Sequence, residues 1–338
     1  LAIMSLAGLL WLTQGIVLAL AGPLLFVFLL TVFNFVWGFF YESMTRHRLA
    51  DMFGQYVPPQ LVEEMSRNPS DFSFAGESRE LSVLFSDIRG FTTLSEALAA
   101  DELKLLLNRY FTPITGVIFD HRGTIDKYIG DLVMAFWGAP VKDPNHALHS
   151  IQAAIQMLKV TEKISADFVS EGLPAISVGI GINSGLMNVG DMGSKYRRAY
   201  TVLGDAVNLA SRLESSTKYY GVSLIVGERT RELALEHFLW RELDLVKVKG
   251  KDYAVKIYQP LCLTEEATPE LKEELQLLEE ALKAFRTQDF AQSKKIFTQL
   301  KQRYPSINQY TLYLERIQTL EKEPPTTDWD GSWTRMDK

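Results

Sequence analysis

From Leu1 to Tyr41 the sequence carries no charged residue. A bilayer span takes roughly 20 apolar residues, so this stretch has the length of two spans rather than one. Gly22-Pro23 sits near its middle, where a tight turn is expected. A secretory leader fits poorly, because its apolar region is only ~7–15 residues long. Arg46, His47 and Arg48 follow at once. Positive charge beside a span marks the cytoplasmic side, so two spans would leave both ends in the cytoplasm, at an inner or plasma membrane. The chain starts at Leu1 rather than Met. Further sequence upstream, with a sensor domain in it, is therefore expected.

Residues 42–75 read as a juxtamembrane helical linker. Leu49, Met52, Phe53 and Tyr56 fall at helical spacing. Pro59 suits the first turn of a second short helix, PQLVEEM, and Ser66 to Ser78 is polar and turn-rich. Beyond this point a sizeable core is available, since 47% of the chain is apolar and 22% charged. The formal charge of −6 argues against a general nucleic-acid binder. Cys262 is the single cysteine, so no disulfide can form within one chain.

The chemistry-bearing residues fall in four clusters. Leu81 to Phe85 alternates as a strand and runs into Ser86-Asp87-Ile88-Arg89-Gly90-Phe91-Thr92. A carboxylate just beyond a strand stands on a rigid element, which suits a metal ligand, although an Asp there is more often a helix cap. Lys127-Tyr-Ile-Gly-Asp131 followed by Leu132 to Trp137 reads as a hairpin with a carboxylate at its tip. Gly-Asp turns are common, but two Asp residues at adjoining strand ends can hold Mg²⁺ together with substrate phosphates. Gly204-Asp205 marks a helix start, with Asp205 as its cap. On that helix Asn208 and Arg212, four apart, share one face. Val207, Ala210 and Leu213 share another. A guanidinium binds phosphate oxygens through paired hydrogen bonds, while a plain solvated helix face is the ordinary alternative. Val246 to Lys251 reads as a strand entering a turn, with Lys249 as a candidate phosphate contact. No Gly-x-x-x-x-Gly-Lys-Ser/Thr loop occurs, so a P-loop site is excluded. His146 and His149 have no matching ligand set for zinc.

Taken together, FSDIRGFT, KYIGD and VLGDAVNLASR, in this order and spacing, resemble the class III nucleotidyl cyclase family over Gly76 to Tyr258. FGQYVPPQLVEEM also looks like the bacterial membrane-bound members. The resemblance implies an α+β fold with a ferredoxin-like βαββαβ core at 76–260, and a homodimer with sites at the subunit boundary. It also implies two Mg²⁺ (or Mn²⁺) ions on Asp87 and Asp131. Asn208 and Arg212 match the transition-state pair, and Lys249 matches the triphosphate-contacting lysine, with Lys251 close by. Lys127 and Thr201 match the two purine-selecting positions. Lysine donates to adenine N1 and a hydroxyl can accept from N6, whereas guanine reverses both groups. The expected activity is therefore conversion of ATP to 3′,5′-cyclic AMP and pyrophosphate. A guanylate cyclase is disfavoured by Lys127. A catalytically weak homologue acting as scaffold would be expected to lack one of these residues. A diguanylate cyclase lacks support, because Ile129-Gly130-Asp131-Leu132 stands where its Gly-Gly-Asp/Glu-Glu-Phe hairpin would be.

Residues 261–323 change character. They read as two helices resembling a single tetratricopeptide-type hairpin, built on Ala281, Phe285, Phe290, Ala291 and Phe297. One such unit cannot bury its own face, so it should pack on the catalytic domain. The polar tail, 324–338, has two Trp and no assignment.

Overall fold

The computed structural model describes residues 57–67, 76–196, 198–247, 254–326 and 328–334, with parts of the apolar start at 5, 9, 11–13, 22 and 24–37. Among these, no helix is long and apolar enough to cross a membrane. The two expected spans lie largely outside the described residues, as does the whole stripe from Leu49 to Tyr56. What is described is a helical run at 24–37 whose side chains, including Phe26, Phe28, Phe35 and Trp37, are exposed.

The first soluble element is α1 (Pro59–Arg67), begun by a proline as its sequence dictates. Leu61 and Met65 bury against Val57 and Val141. Strand β1 (Glu77–Ile88) is longer than the Leu81–Phe85 run suggested. It pairs in register with β4 (Val178–Gly193) as far as Ile88 opposite Val178. Asp87 is therefore held inside a strand rather than just beyond one. β1 lies between two cores, which explains why every residue from Leu81 to Ser86 is buried. Leu81, Val83 and Phe85 face one core, while Leu84 and Ile88 face the other. Each such side chain contributes about 1.5–3 kcal/mol by leaving water.

After β1 come α2 (Phe91–Ala97) and α3 (Ala100–Asp120). β2 (Thr124–Ile129) and β3 (Leu132–Trp137) then form the expected hairpin, and α4 (His146–Ser170) leads into β4. The spatial order β2-β3-β1-β4, with β2–β3, β3–β1 and β1–β4 all antiparallel, is that of a βαββαβ unit. β5 (Arg198–Leu203) folds back along β4. The sheet continues through β6 (Leu224–Gly227), β8 (Ala254–Leu263) and β7 (Phe238–Lys247).

Helix α5 (Asp205–Tyr220) lies on this sheet. The residue at its N-cap is Gly204, and Asp205 is the first helical residue, so Asp205 is not the cap. The helix sits unusually close to β4. A Cβ at Gly181 would stand 2.1 Å from the Glu214 amide nitrogen and 2.4 Å from the Ala210 carbonyl oxygen. Only glycine permits that approach. Val207 and Ala210 bury in one core, Leu209 and Leu213 in another, so the rotation of α5 is fixed. A short helix, α6 (Glu228–Leu233), follows β6.

The C-terminal part holds three helices rather than two: α7 (Pro269–Arg286), α8 (Phe290–Arg303) and α9 (Asn308–Lys322). Phe285, Phe297, Tyr310 and Tyr313 form its core. It is joined to the sheet through α9. Gln309 Nε2 donates to the carbonyls of Glu242 (2.7 Å) and Leu243 (2.8 Å). Arg316 pairs with Asp244 at 2.7 Å, almost fully buried on both sides. In the tail, β9 (Trp333–Thr334) adds a parallel strand to β7.

Candidate active site

The pairing of β3 with β1 sets Asp131, at the turn of the β2–β3 hairpin, beside the end of β1. Gly130 has a φ of 66°, the left-handed backbone such a turn needs. Asp131 Oδ2 accepts from the Ile88 amide at 3.1 Å, and Asp131 is 9% exposed. Asp87 is half-buried against it. Burial, then a hydrogen bond and repulsion from Asp131, then the charge of Glu214, push the Asp87 carboxyl up from 3.8 to about 7. Beneath them the Tyr110 hydroxyl is wholly enclosed, and burial pushes it well above its ordinary value.

Two carboxylates forced together without a cation between them repel, and a divalent ion relieves that repulsion. Among the described residues no group of three or more His, Cys, Asp or Glu side chains could hold a metal. The donor set is thus a pair of hard oxygen ligands, which suits Mg²⁺ completing its shell with water and phosphate.

The second cluster is also assembled. Lys127 on β2 and Thr201 on β5 both reach Asp126. Lys127 Nζ lies 3.0 Å from Asp126 Oδ1, and Thr201 Oγ1 donates to Asp126 Oδ2 at 2.5 Å. Asp126 is 3% exposed. The sequence reading passed over it, although an Asp inside a strand, next to Ile125, is itself a signal, because such residues are rarely buried unless paired.

Asn208 and Arg212 are exposed on α5. They are not turned toward their own chain's carboxylate pair. The α5 side chain that acts on Asp87 is Glu214, on the opposite side of the helix. Burial raises the Glu214 carboxyl above its usual range. Lys249 lies outside the described residues. His146 Nδ1 is 2.8 Å from Ser82 Oγ and His149 Nδ1 is 2.7 Å from Asp143 Oδ2, so the two histidines serve separate packing networks.

The family model for the "Adenylate and Guanylate cyclase catalytic domain" matches residues 75–260. The chain belongs to this family. Adenylate cyclase 1 of Rhizobium meliloti is 35% identical over 207 residues, covering 61% of this chain and 31% of that protein. The adenylate cyclase of Anabaena cylindrica is 38% identical over 218 residues, covering 62% and 42%. The match thus spans well under half of either relative. Among solved structures, the adenylyl cyclase CyaB from P. aeruginosa has a TM-score of 0.53 at 34% identity, over 57% of this chain and 99% of that one. The guanylyl cyclase Cya2 has 0.51 at 32%, over 57% and 97%.

The raised Asp87 carboxyl has a consequence for stability. Unfolded, it would titrate near 3.8, and in the fold near 7. The folded state is therefore penalised progressively as pH rises from about 4 to about 7. In the presence of a chelator, Asp87→Asn should melt a few degrees above the unaltered chain at pH 8, with a smaller difference at pH 5. Adding Mg²⁺ should raise the melting temperature of the unaltered chain only. Equal melting at both pH values, or equal Mg²⁺ stabilisation of the variant, would contradict the account of the pair.

Proposed function

We propose that this cyclase is an adenylate cyclase, forming 3′,5′-cyclic AMP and pyrophosphate from ATP at two equivalent sites shared by a homodimer. The observation that carries the reading is the gathering of Lys127 and Thr201 on one buried carboxylate. The pair offers a donor for adenine N1 and an acceptor for N6. Guanine would set its N1–H against the Lys127 ammonium, both of them donors.

In the reaction the ribose 3′-oxygen bonds to the α-phosphorus, the bond to pyrophosphate breaks, and the 3′-hydroxyl proton is released. Asp87 and Asp131 would hold divalent cations, Mg²⁺ or Mn²⁺, whose charge lowers the 3′-hydroxyl pKa and neutralises the triphosphate. Arg212 stabilises the charge that develops on the α-phosphate, and Asn208 orients the ribose, because ring closure demands strict alignment. Lys249 contacts the departing phosphates. Asn208 and Arg212 come from the second copy. The exposed Asn/Arg face of α5 and the Asp87/Asp131 pair cannot meet within one chain while Glu214 occupies that side of the helix.

The full chain, given Mg²⁺ or Mn²⁺, should turn over ATP with at least tenfold preference over GTP. Chromatographic product analysis decides this, and equal or better use of GTP would refute the adenylate reading in favour of a guanylate cyclase.

We further propose that the chain is tethered to a membrane with its catalytic domain on the cytoplasmic side. Support comes from the charge-free stretch Leu1–Tyr41 and the exposed apolar side chains at 24–37. The protein should remain in the membrane fraction through alkaline extraction. Release into the supernatant would rule the tether out.

A further inference from the structure

Resting on the adenylate cyclase reading, we infer that Asp126 is a positioning residue that sets base choice, by fixing the direction of the Thr201 hydroxyl. The inference begins with a fault in the hairpin. Ile125 pairs with Ala135 and Lys127 with Met134, so the ladder slips and Asp126 is the extra residue between them. In a regular strand, neighbouring side chains point to opposite faces. A bulge re-aims a side chain, and here it lets Asp126 and Lys127 meet on one side.

The Asp126 carboxylate then has three neighbours. Its Oδ1 lies 3.0 Å from Lys127 Nζ. Its Oδ2 accepts from Thr201 Oγ1 at 2.5 Å and from the Val202 amide at 3.4 Å. Asp126 and Thr201 are 3% and 7% exposed, so water does not compete freely for these bonds.

A threonine hydroxyl has one hydrogen and two lone pairs. Left alone, it can accept from the adenine N6 amino group or donate to the guanine O6, and so does not discriminate. Once its hydrogen is given to Asp126, only lone pairs face the base. Thr201 then welcomes an amino group and opposes a carbonyl oxygen. The same carboxylate steadies the Lys127 ammonium that reads N1. Asp126 touches neither base nor phosphate, and acts through Thr201 and Lys127.

The experiment uses Asp126→Ala in the full chain. Alanine removes the acceptor that Thr201, the Val202 amide and Lys127 share. The Thr201 hydrogen is then free to donate to O6. The ratio of kcat/KM for ATP to that for GTP should fall about tenfold or more, the size expected when one buried hydrogen bond reverses. The fall should be carried by KM for ATP rather than by kcat. GTP turnover at or above the unaltered level would show that the variant is folded. An unchanged ratio, in a protein whose unaltered form prefers ATP, overturns this inference alone. An unaltered chain that prefers GTP overturns the adenylate reading and this inference with it.

A second measurement needs no variant. 6-Methoxypurine riboside triphosphate keeps the N1 acceptor but places an oxygen at position 6, where purine riboside triphosphate has only hydrogen. The unaltered enzyme should use the methoxy analogue about tenfold less well than the purine analogue. Equal or better use would show that Thr201 donates to the base, and would overturn the inference.

Discussion

Everything in the catalytic half follows from two carboxylates that the sheet will not let part. β1 is pinned between β3, paired as far as Ser86, and β4, paired as far as Ile88, so Asp87 cannot swing away from Asp131. Burial first, and then the hydrogen bond with Asp131 and its repulsion, lift the Asp87 carboxyl to about 7. A fold selected for stability alone would not keep two acids there. Helix α5 adds to the constraint. Its backbone touches β4 at Gly181, and its apolar residues enter two cores. It therefore cannot rotate to bring Arg212 over the pair, and Glu214 remains on that side. Asn208 and Arg212 thus stay on the exposed side of α5, opposite Glu214.

The C-terminal unit is joined to the same rigid body. Its α9 pairs Arg316 with Asp244 on β7, and Tyr220, the last residue of α5, donates to Asp244 at 2.6 Å. Asn308 Nδ2 also donates to the Tyr219 carbonyl at 3.0 Å. A buried ion pair of this kind adds little net stability when intact, but removing one partner costs about 3–5 kcal/mol. The unit thus reaches the far end of the helix that carries Asn208 and Arg212. Lys247 pairs with Asp330 at 2.8 Å, which ties the tail to β7 two residues before Lys249.

The legible parts of the sequence were those where local chemistry and fold agree. The β2–β3 hairpin, the proline start of α1 and the buried face of α5 follow from turn residues and periodicity. The true length of β1 was hidden, because Glu77 to Glu80 is polar and becomes strand only through pairing with β4. Asp126 was hidden for a related reason. A one-residue slip between β2 and β3 decides where it points, and no periodicity records a slip. Helix α9 carries apolar residues on the face that docks on β7, yet Gln309 and Arg316 lie there too, their partners supplied by the sheet. The pairs that the fold brings together, Asp87 with Asp131 and Lys127 with Thr201, were legible in the sequence, whereas Glu214 beside Asp87 was not.

The central claim is that each site is completed by a second copy, and complementation tests it most directly. Asp87→Ala and Arg212→Ala should each be inactive alone. In a mixed dimer one site collects both defects and the other has none, so random pairing of equal amounts should restore about a quarter of full cyclic AMP production. No recovery, with mixed dimers demonstrated in the sample, would place each complete site within a single chain and contradict the account.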